Sequence, residues 1–350
     1  MAGLTGRERG LLAGVGALTA ATAALQFAGA RDVAVFLVAA GALAGLAWVV
    51  SFATEAVGER FGPALTGVLQ STLGNLPELF VVLFAISAGE LVVAQYSVLG
   101  SIFANALLVL GLVLMAGARN GGGIMRFNRG LANDTATLLL LAVFIIALLG
   151  LSNSVGDRAS RHQIAISAIG AVVLLAVYVV WLVSYLRAGR QPPLRHAPRV
   201  PLRLAIGLLA VSGVAAAFVS DWFVGAIDGA VKALGISKEF TGLVIVAIAG
   251  NAVENVVGIT LAAKGQNDLA ISVVKNSVAQ IAVFLFPALV LLSLFFETRL
   301  TFVVPAVYIG ALVLTALAMW QITGDGEAEY YQGLALVGFY AILAVLTFYE

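Results

Sequence analysis

Apolar runs long enough to cross a bilayer follow one another along almost the whole 350-residue chain. A helix needs about 20 mainly apolar residues to span the hydrocarbon. Charge, Gly and Pro punctuate eleven such runs, at approximately 8–28, 33–57, 62–88, 90–117, 131–150, 162–187, 202–222, 239–264, 267–295, 299–321 and 330–349. The amphipathic segment 223–238 is read as an extension of the seventh. Hydrophobic residues make up 61% and charged residues 11%, against about 45–50% and 25% in a soluble domain. A water-soluble core is excluded, and the expected fold is an all-α polytopic membrane protein.

Charge placement sets the expected orientation. Of 19 Lys and Arg, twelve fall on the side of the N-terminus, six on the other, and Lys275 lies within a run. The positive-inside rule then predicts a cytoplasmic N-terminus and, after eleven spans, a C-terminus outside. The first run lacks a small-residue cleavage site and reads as a retained helix. A formal net charge of +1 argues against nucleic acid as a partner. Zero cysteines remove disulfides, thiolate chemistry and iron–sulfur ligation, and His162 and His196 fall in loops. No nucleophile–base set for an intramembrane enzyme is present and no cofactor is expected. The partners expected are inorganic cations, protons and the lipid bilayer.

An internal repeat divides the chain. TGVLQSTLGNLPELFVVLFAISAGE, then YSVLGSIFANALLVLG, is echoed by TGLVIVAIAGNAVENVVGITLAAKG, then LAISVVKNSVAQIAVFLFP. Thr66–Gly67 matches Thr241–Gly242, Gly74–Asn75 matches Gly250–Asn251, Glu78 matches Glu254, and Asn105 falls opposite Gln280. The organisation read from this is an N-terminal helix (1–30), a first five-helix unit (31–187), a basic cytoplasmic linker (188–201) and a second five-helix unit (202–350). Five is odd, so the second unit enters the membrane from the opposite side. Such inverted repeats suit alternating access around a midplane site.

The matched glutamates carry the chemistry. A carboxylate in the hydrocarbon costs about 2.5–3.5 kcal/mol on insertion scales, so one kept there faces a wet cavity and a partner. Asn75 with Glu78, and Asn251 with Glu254, are three residues apart and share a helix face. Oxygen-only donors suit hard cations such as Ca²⁺ or Na⁺. Two carboxylates meeting near the midplane raise one another's pKa. They favour protons when no cation is bound and release them when one arrives, which is antiport. Pro77 and the nearby glycines weaken helical bonding, and carbonyls freed there can add ligands.

Ser97, Ser101 and Asn105, four apart, line one face of the fourth helix. Asn276, Ser277 and Gln280 do the same on the ninth. Small-residue packing explains the serines equally well; the matched Asn105 and Gln280 point to the site. Glu55, Glu59 and Glu90 read as solvated end charges, and Asp325, Glu327 and Glu329 as a solvated acidic loop.

At Ala53–Thr54–Glu55, GNLPEL (74–79), LGSIFAN (99–105), GNAVEN (250–255) and SVAQIAVFLFP (277–287), the chain resembles the cation/proton exchanger (CAX) family of the Ca²⁺:cation antiporter superfamily. The resemblance covers roughly 45–117 and 225–295, and the one-plus-five-plus-five layout extends it. It implies proton-driven Ca²⁺ efflux across the cell's inner membrane. Glu78 and Glu254 are then the ion-binding, proton-carrying residues, assisted by Asn75, Asn251, Asn105, Gln280 and Ser101. Departures from the family pattern are Asn255 for a usual His, Gln70 for Asn, Asn276–Ser277 preceded by Lys275 for a Gly–Ser pair, and a basic loop between the halves. Lys275 has two readings. Its stem covers apolar surface while the amine snorkels to the interface, or it is an internal cation near Glu254, a charge modulator favouring a monovalent ion. The alternative activity on the same fold is Na⁺ (or K⁺)/H⁺ antiport.

Overall fold

The computed structural model describes residues 3–58, 60, 73–188 and 199–350, the side chains of 129–134, 185–188, 253 and 254 excepted. Thr66–Gly67, Gln70, Glu59 and most of the linker lie outside them. The helices are α1 (Gly6–Phe27), α2 (Asp32–Gly58), α3 (Leu76–Ser87), α4 (Leu91–Asn120), α5 (Arg129–Ser154), α6 (Gln163–Ala188), α7 (Leu202–Gly225), α8 (Ile227–Leu234), α9 (Lys238–Gly250), α10 (Ala252–Ala263), α11 (Asn267–Ser293), α12 (Ala306–Thr323) and α13 (Tyr330–Phe348). Among the described residues nine helices are long and apolar enough to cross a membrane, or ten counting α8 and α9 as one bent span. Helix α3, with 12 residues, is a shorter apolar helix.

Three segments differ from the sequence reading. The 223–238 stretch does not prolong α7, which stops at Gly225. Helix α8 is separate and meets α9 at 116°. Gly235 ends α8 in the left-handed conformation at φ +65°, where a glycine has no Cβ penalty. Ser237 Oγ then accepts from Phe240 N–H at 2.9 Å and starts α9. The twelfth element begins at Ala306, after Pro305, instead of at 299. Residues 299–305 run without helix, because side chains satisfy their backbone: Leu300 N–H donates to Ser293 Oγ (2.9 Å), Phe302 N–H to Ser167 Oγ (3.2 Å), and Gln95 Nε2 to the Val303 carbonyl. The acidic loop contains a strand, β2 (Glu327–Glu329), antiparallel to β1 (Ile124–Arg126). Glu327 Oε1 pairs with Arg126 Nε at 3.0 Å, an exposed pair worth little by itself.

Contacts define the two faces. On the N-terminal face Glu8 pairs with Arg199 at 2.7 Å, and Arg60 Nη2 donates to the Val200 carbonyl at 3.0 Å. On the opposite face Lys238 Nζ reaches both Glu90 oxygens at 2.9 and 2.7 Å, so Glu90 is an ion-paired end charge. Helix α2 packs most extensively on α7, α1 lies against both, and α4 crosses α9 closely.

That crossing brings the two repeats together. Without a hydrophobic drive between helices in lipid, association rests on close packing of small residues. A Cβ on Gly100 would lie 2.3 Å from the Leu243 carbonyl oxygen, and one on Gly242 would lie 2.9 Å from Ser97 N. Gly100→Ala is therefore expected to destabilise by about 1–3 kcal/mol through overpacking. Thermal unfolding in detergent should show a lowered Tm for it, and none for Gly41→Ala, where a Cβ meets open space.

Candidate functional site

Both GN-x-x-E motifs start a helix, and the second also interrupts one. Asn75 (φ −86°, ψ 10°) precedes α3 and Asn251 (φ −102°, ψ 18°) separates α9 from α10. These values fall in the bridge region between the strand and helix wells. Asn is a favoured N-cap, yet neither side chain caps the helix it begins. The Asn251 amide bonds instead to Asn105 and Ser101 of the other repeat. The carbonyls of Asn75 and Asn251 accept the first intrahelical bonds, from Leu79 N–H (2.9 Å) and Asn255 N–H (3.1 Å). Glu78 and Glu254 are each the third residue of the new helix. A carboxylate in a first turn is favoured by the helix dipole by about 0.3–1 kcal/mol, and by up to ~2 where partly buried. The break thus presents a helix N-terminus to each glutamate position, an effect beyond the freed carbonyls expected from Pro77 and the glycines.

Three of the expected residues meet across the repeats. Asn105 Nδ2 donates to Asn251 Oδ1 at 2.7 Å and to the Ser101 carbonyl at 3.0 Å. Asn251 Nδ2 donates to Ser101 Oγ and to the Ala247 carbonyl, both at 2.8 Å. All three side chains are fully buried. Both amide NH2 groups are consumed and acceptor oxygens are left over. Asn105 Oδ1, Ser97 Oγ and Ser277 Oγ are buried without a hydrogen-bond partner among the described residues. Buried polar atoms are nearly always partnered, so an excess of oxygen acceptors fits a cation or water in the interior.

Glu78 is 1% exposed. It shares a small cavity with Leu43, Phe223, Val246, Ala249 and Gly250. A Cβ on Gly250 would touch Glu78 Cβ at 3.6 Å, so the first glutamate packs against the second motif. Asn75 and Gln280 are buried at 5% and 6% exposure. The Glu254 side chain lies outside the described residues; its backbone is in α10. Among the described residues no group of three or more acidic, His or Cys side chains is gathered for a metal.

Lys275 is also buried, at 1% exposure, with Nζ on Thr323 Oγ1 at 2.5 Å. Thr323 is the last residue of α12, so the amine turns back toward the N-terminal face. It stays sealed from solvent, because a hydroxyl inside the bundle receives it; the snorkelling reading is corrected to that extent.

Sequence reasoning missed two features. Helices α4, α9 and α11 contain π-turns at Ala104–Val109, Thr241–Val246 and Ile281–Leu285. The first contains Asn105 and the third follows Gln280, so the matched amides sit at matched irregularities. Such turns recur at functional positions. The second is the Glu78 cavity wall, where Phe223 and Leu43 looked like ordinary apolar residues.

A nearly all-helical chain, with nine or ten membrane-length helices among its described residues and a helix begun at each of the matched motifs, has the architecture of an alternating-access secondary transporter. The family described as sodium/calcium exchanger protein matches residues 32–186 and 204–349, and the chain belongs to it. It is 36% identical over 332 residues to a vacuolar calcium ion transporter of Schizosaccharomyces pombe, covering 90% of this chain and 79% of that one. It is 30% identical over 308 residues to the Ca²⁺/H⁺ antiporter ChaA of Bacillus subtilis, covering 86% and 88%. The crystal structure of the selenium-substituted Ca²⁺/H⁺ antiporter protein YfkE aligns with a TM-score of 0.81 at 26% identity, over 98% of this chain and all of that one.

Removing the central amide tests the cluster. Asn251→Ala takes away the partner of Asn105 Nδ2 and of Ser101 Oγ, and unmet buried groups cost about 1–3 kcal/mol each. A double-mutant cycle of Asn105→Ala with Asn251→Ala, read by thermal unfolding, is expected to give a coupling of about 0.5–3 kcal/mol.

Proposed function

We propose that this protein is a Ca²⁺/H⁺ antiporter of the cell's plasma (inner) membrane, with its N-terminus cytoplasmic and its C-terminus outside. The observation that carries the reading is the pair of matched helix restarts. Each sets a glutamate in the first turn of a new helix, and the Asn105–Asn251–Ser101 cluster ties the two halves beside them. The names of its relatives supply the ions.

In this reading Glu78 and Glu254 hold the cation and, in its absence, protons. Asn75, Asn251, Asn105, Gln280 and Ser101 supply or position neutral oxygens. A dehydrated Ca²⁺ takes 6–8 oxygens, more than two carboxylates give, and the surplus acceptors beside them help to fill that number. Charge balance produces the coupling. Two carboxylates with bound Ca²⁺, or with two protons, are neutral and can be carried through a low-dielectric interior; the empty, doubly charged site cannot. Exchange follows because only loaded forms reorient. The residues 31–187 and 202–350 act as the two inverted units that enclose the site, whose exposure alternates between one face and the other. The linker 188–201 joins them and the helix of 1–30 lies against α2 and α7. No cofactor enters the cycle; the ions are cargo.

One observation favours keeping a monovalent ion in the test. Lys275 places an amine inside the bundle, and charge there lowers the demand for a divalent partner. Everted vesicles carrying a pH-sensitive dye separate the two activities. CaCl₂ is expected to collapse the proton gradient, and NaCl or KCl is not; a response to Na⁺ alone would overturn the calcium assignment. Glu78→Gln and Glu254→Gln are each expected to abolish exchange with membrane insertion retained. Near-normal exchange in either variant contradicts the mechanism.

A further inference from the structure

The Glu78 cavity has one large wall that the ion chemistry leaves unexplained. Its lining comes from α2 (Leu43), α3 (Pro77, Val81), α7 (Phe223) and α9 (Val246, Ala249). Phe223 is 1% exposed and stacks on Phe36 of α2, with centroids 4.8 Å apart and planes at 20°. Both rings sit near the ends of their helices on the opposite face. Phe223 lies two residues before the end of α7 and Phe36 four after the start of α2, or roughly 3–6 Å at 1.5 Å per residue. Glu78 lies nine residues from the end of α3, roughly 14 Å in. The stacked rings therefore stand between Glu78 and that face.

Two more observations fit a passage at this place. Ser220, one turn deeper on the same side of α7, is fully buried, and its Oγ has no hydrogen-bond partner among the described residues. Helix α7 also ends at once, at Gly225–Ala226, where the chain turns into α8. Since α2 packs most extensively on α7 and α1 lies against both, the two rings travel together.

We propose that Phe223, backed by Phe36, is the access-controlling residue of the Glu78 cavity toward the opposite face. Displacement of the stacked pair admits cation or proton from that side. This rests on Glu78 being an ion site. Its test reads access alone, so it fails or succeeds independently of which ions are exchanged.

The chain has no cysteine, so a single thiol reports on the cavity without background. Val246→Cys and Val81→Cys each place one in the wall beyond the rings. A charged, membrane-impermeant methanethiosulfonate reagent is applied to vesicles of either orientation and the labelling rate measured. With Phe223 present, labelling from the opposite face is expected to be slow. Phe223→Ala should accelerate it at least tenfold from that face only, Phe223→Leu by less, and Phe223→Trp not at all. Phe348→Ala, which removes another ring pair on the same face, should leave the rate unchanged. A rate within twofold of the parent for both Phe223→Ala and Phe223→Leu overturns the proposal. So does an equal rise from both faces, which marks general loosening.

Discussion

Everything in this structure answers to the cost of keeping a carboxylate inside a low-dielectric bundle. A continuous apolar helix offers such a group nothing, since every backbone N–H is already bonded to a carbonyl one turn back. The chain solves this by stopping the helix. At Asn75 and Asn251 the backbone leaves helical geometry, and a new N-terminus begins with the glutamate in its first turn. Free N–H groups and the positive helix end are thereby brought to the charge. The break costs helix continuity, and close packing recovers it: Gly100 and Gly242 let α4 and α9 approach until backbone touches backbone.

The inverted repeat gives this local solution its use. A single broken helix would make a static polar site. Two of them, entering from opposite faces, make a site that belongs to neither half, because Asn105 and Ser101 of the first repeat bond directly to Asn251 of the second. The amide donors are used within the cluster while Asn105 Oδ1 is left over. That surplus of acceptors is what oxygen-ligated cations need. In the proposed cycle access alternates between the two faces while these bonded oxygens stay together, which is the physical requirement for exchange.

Much of this was legible in the sequence. Hydropathy located most of the described spans to within a few residues, because the bilayer tolerates little besides long apolar helices. The GN-x-x-E pair was legible because a buried carboxylate is rare and a matched one rarer. What was not legible depended on contacts distant in sequence. The start of α12 moved to Ala306 because hydroxyls from Ser293 and Ser167 serve the preceding backbone. The bend between α8 and α9 followed from Gly235, a residue that hydropathy cannot distinguish from its neighbours. Lys275 was read as reaching the interface or standing near Glu254; it is buried with its amine on the Thr323 hydroxyl of α12, and the Glu254 side chain lies outside the described residues. Phe223 gave no sign of its position, since an aromatic residue near a helix end is ordinary until the cavity beneath it is seen.

The central claim is that one site exchanges its protons for a cation. Proton release on binding measures this most directly, with purified protein in weakly buffered detergent solution and a pH indicator as Ca²⁺ is titrated in. The account predicts that protons appear in step with bound Ca²⁺ and that the release disappears in the Glu78→Gln, Glu254→Gln double variant. Saturable Ca²⁺ binding with no proton release across the pH range in which the protein transports would contradict it.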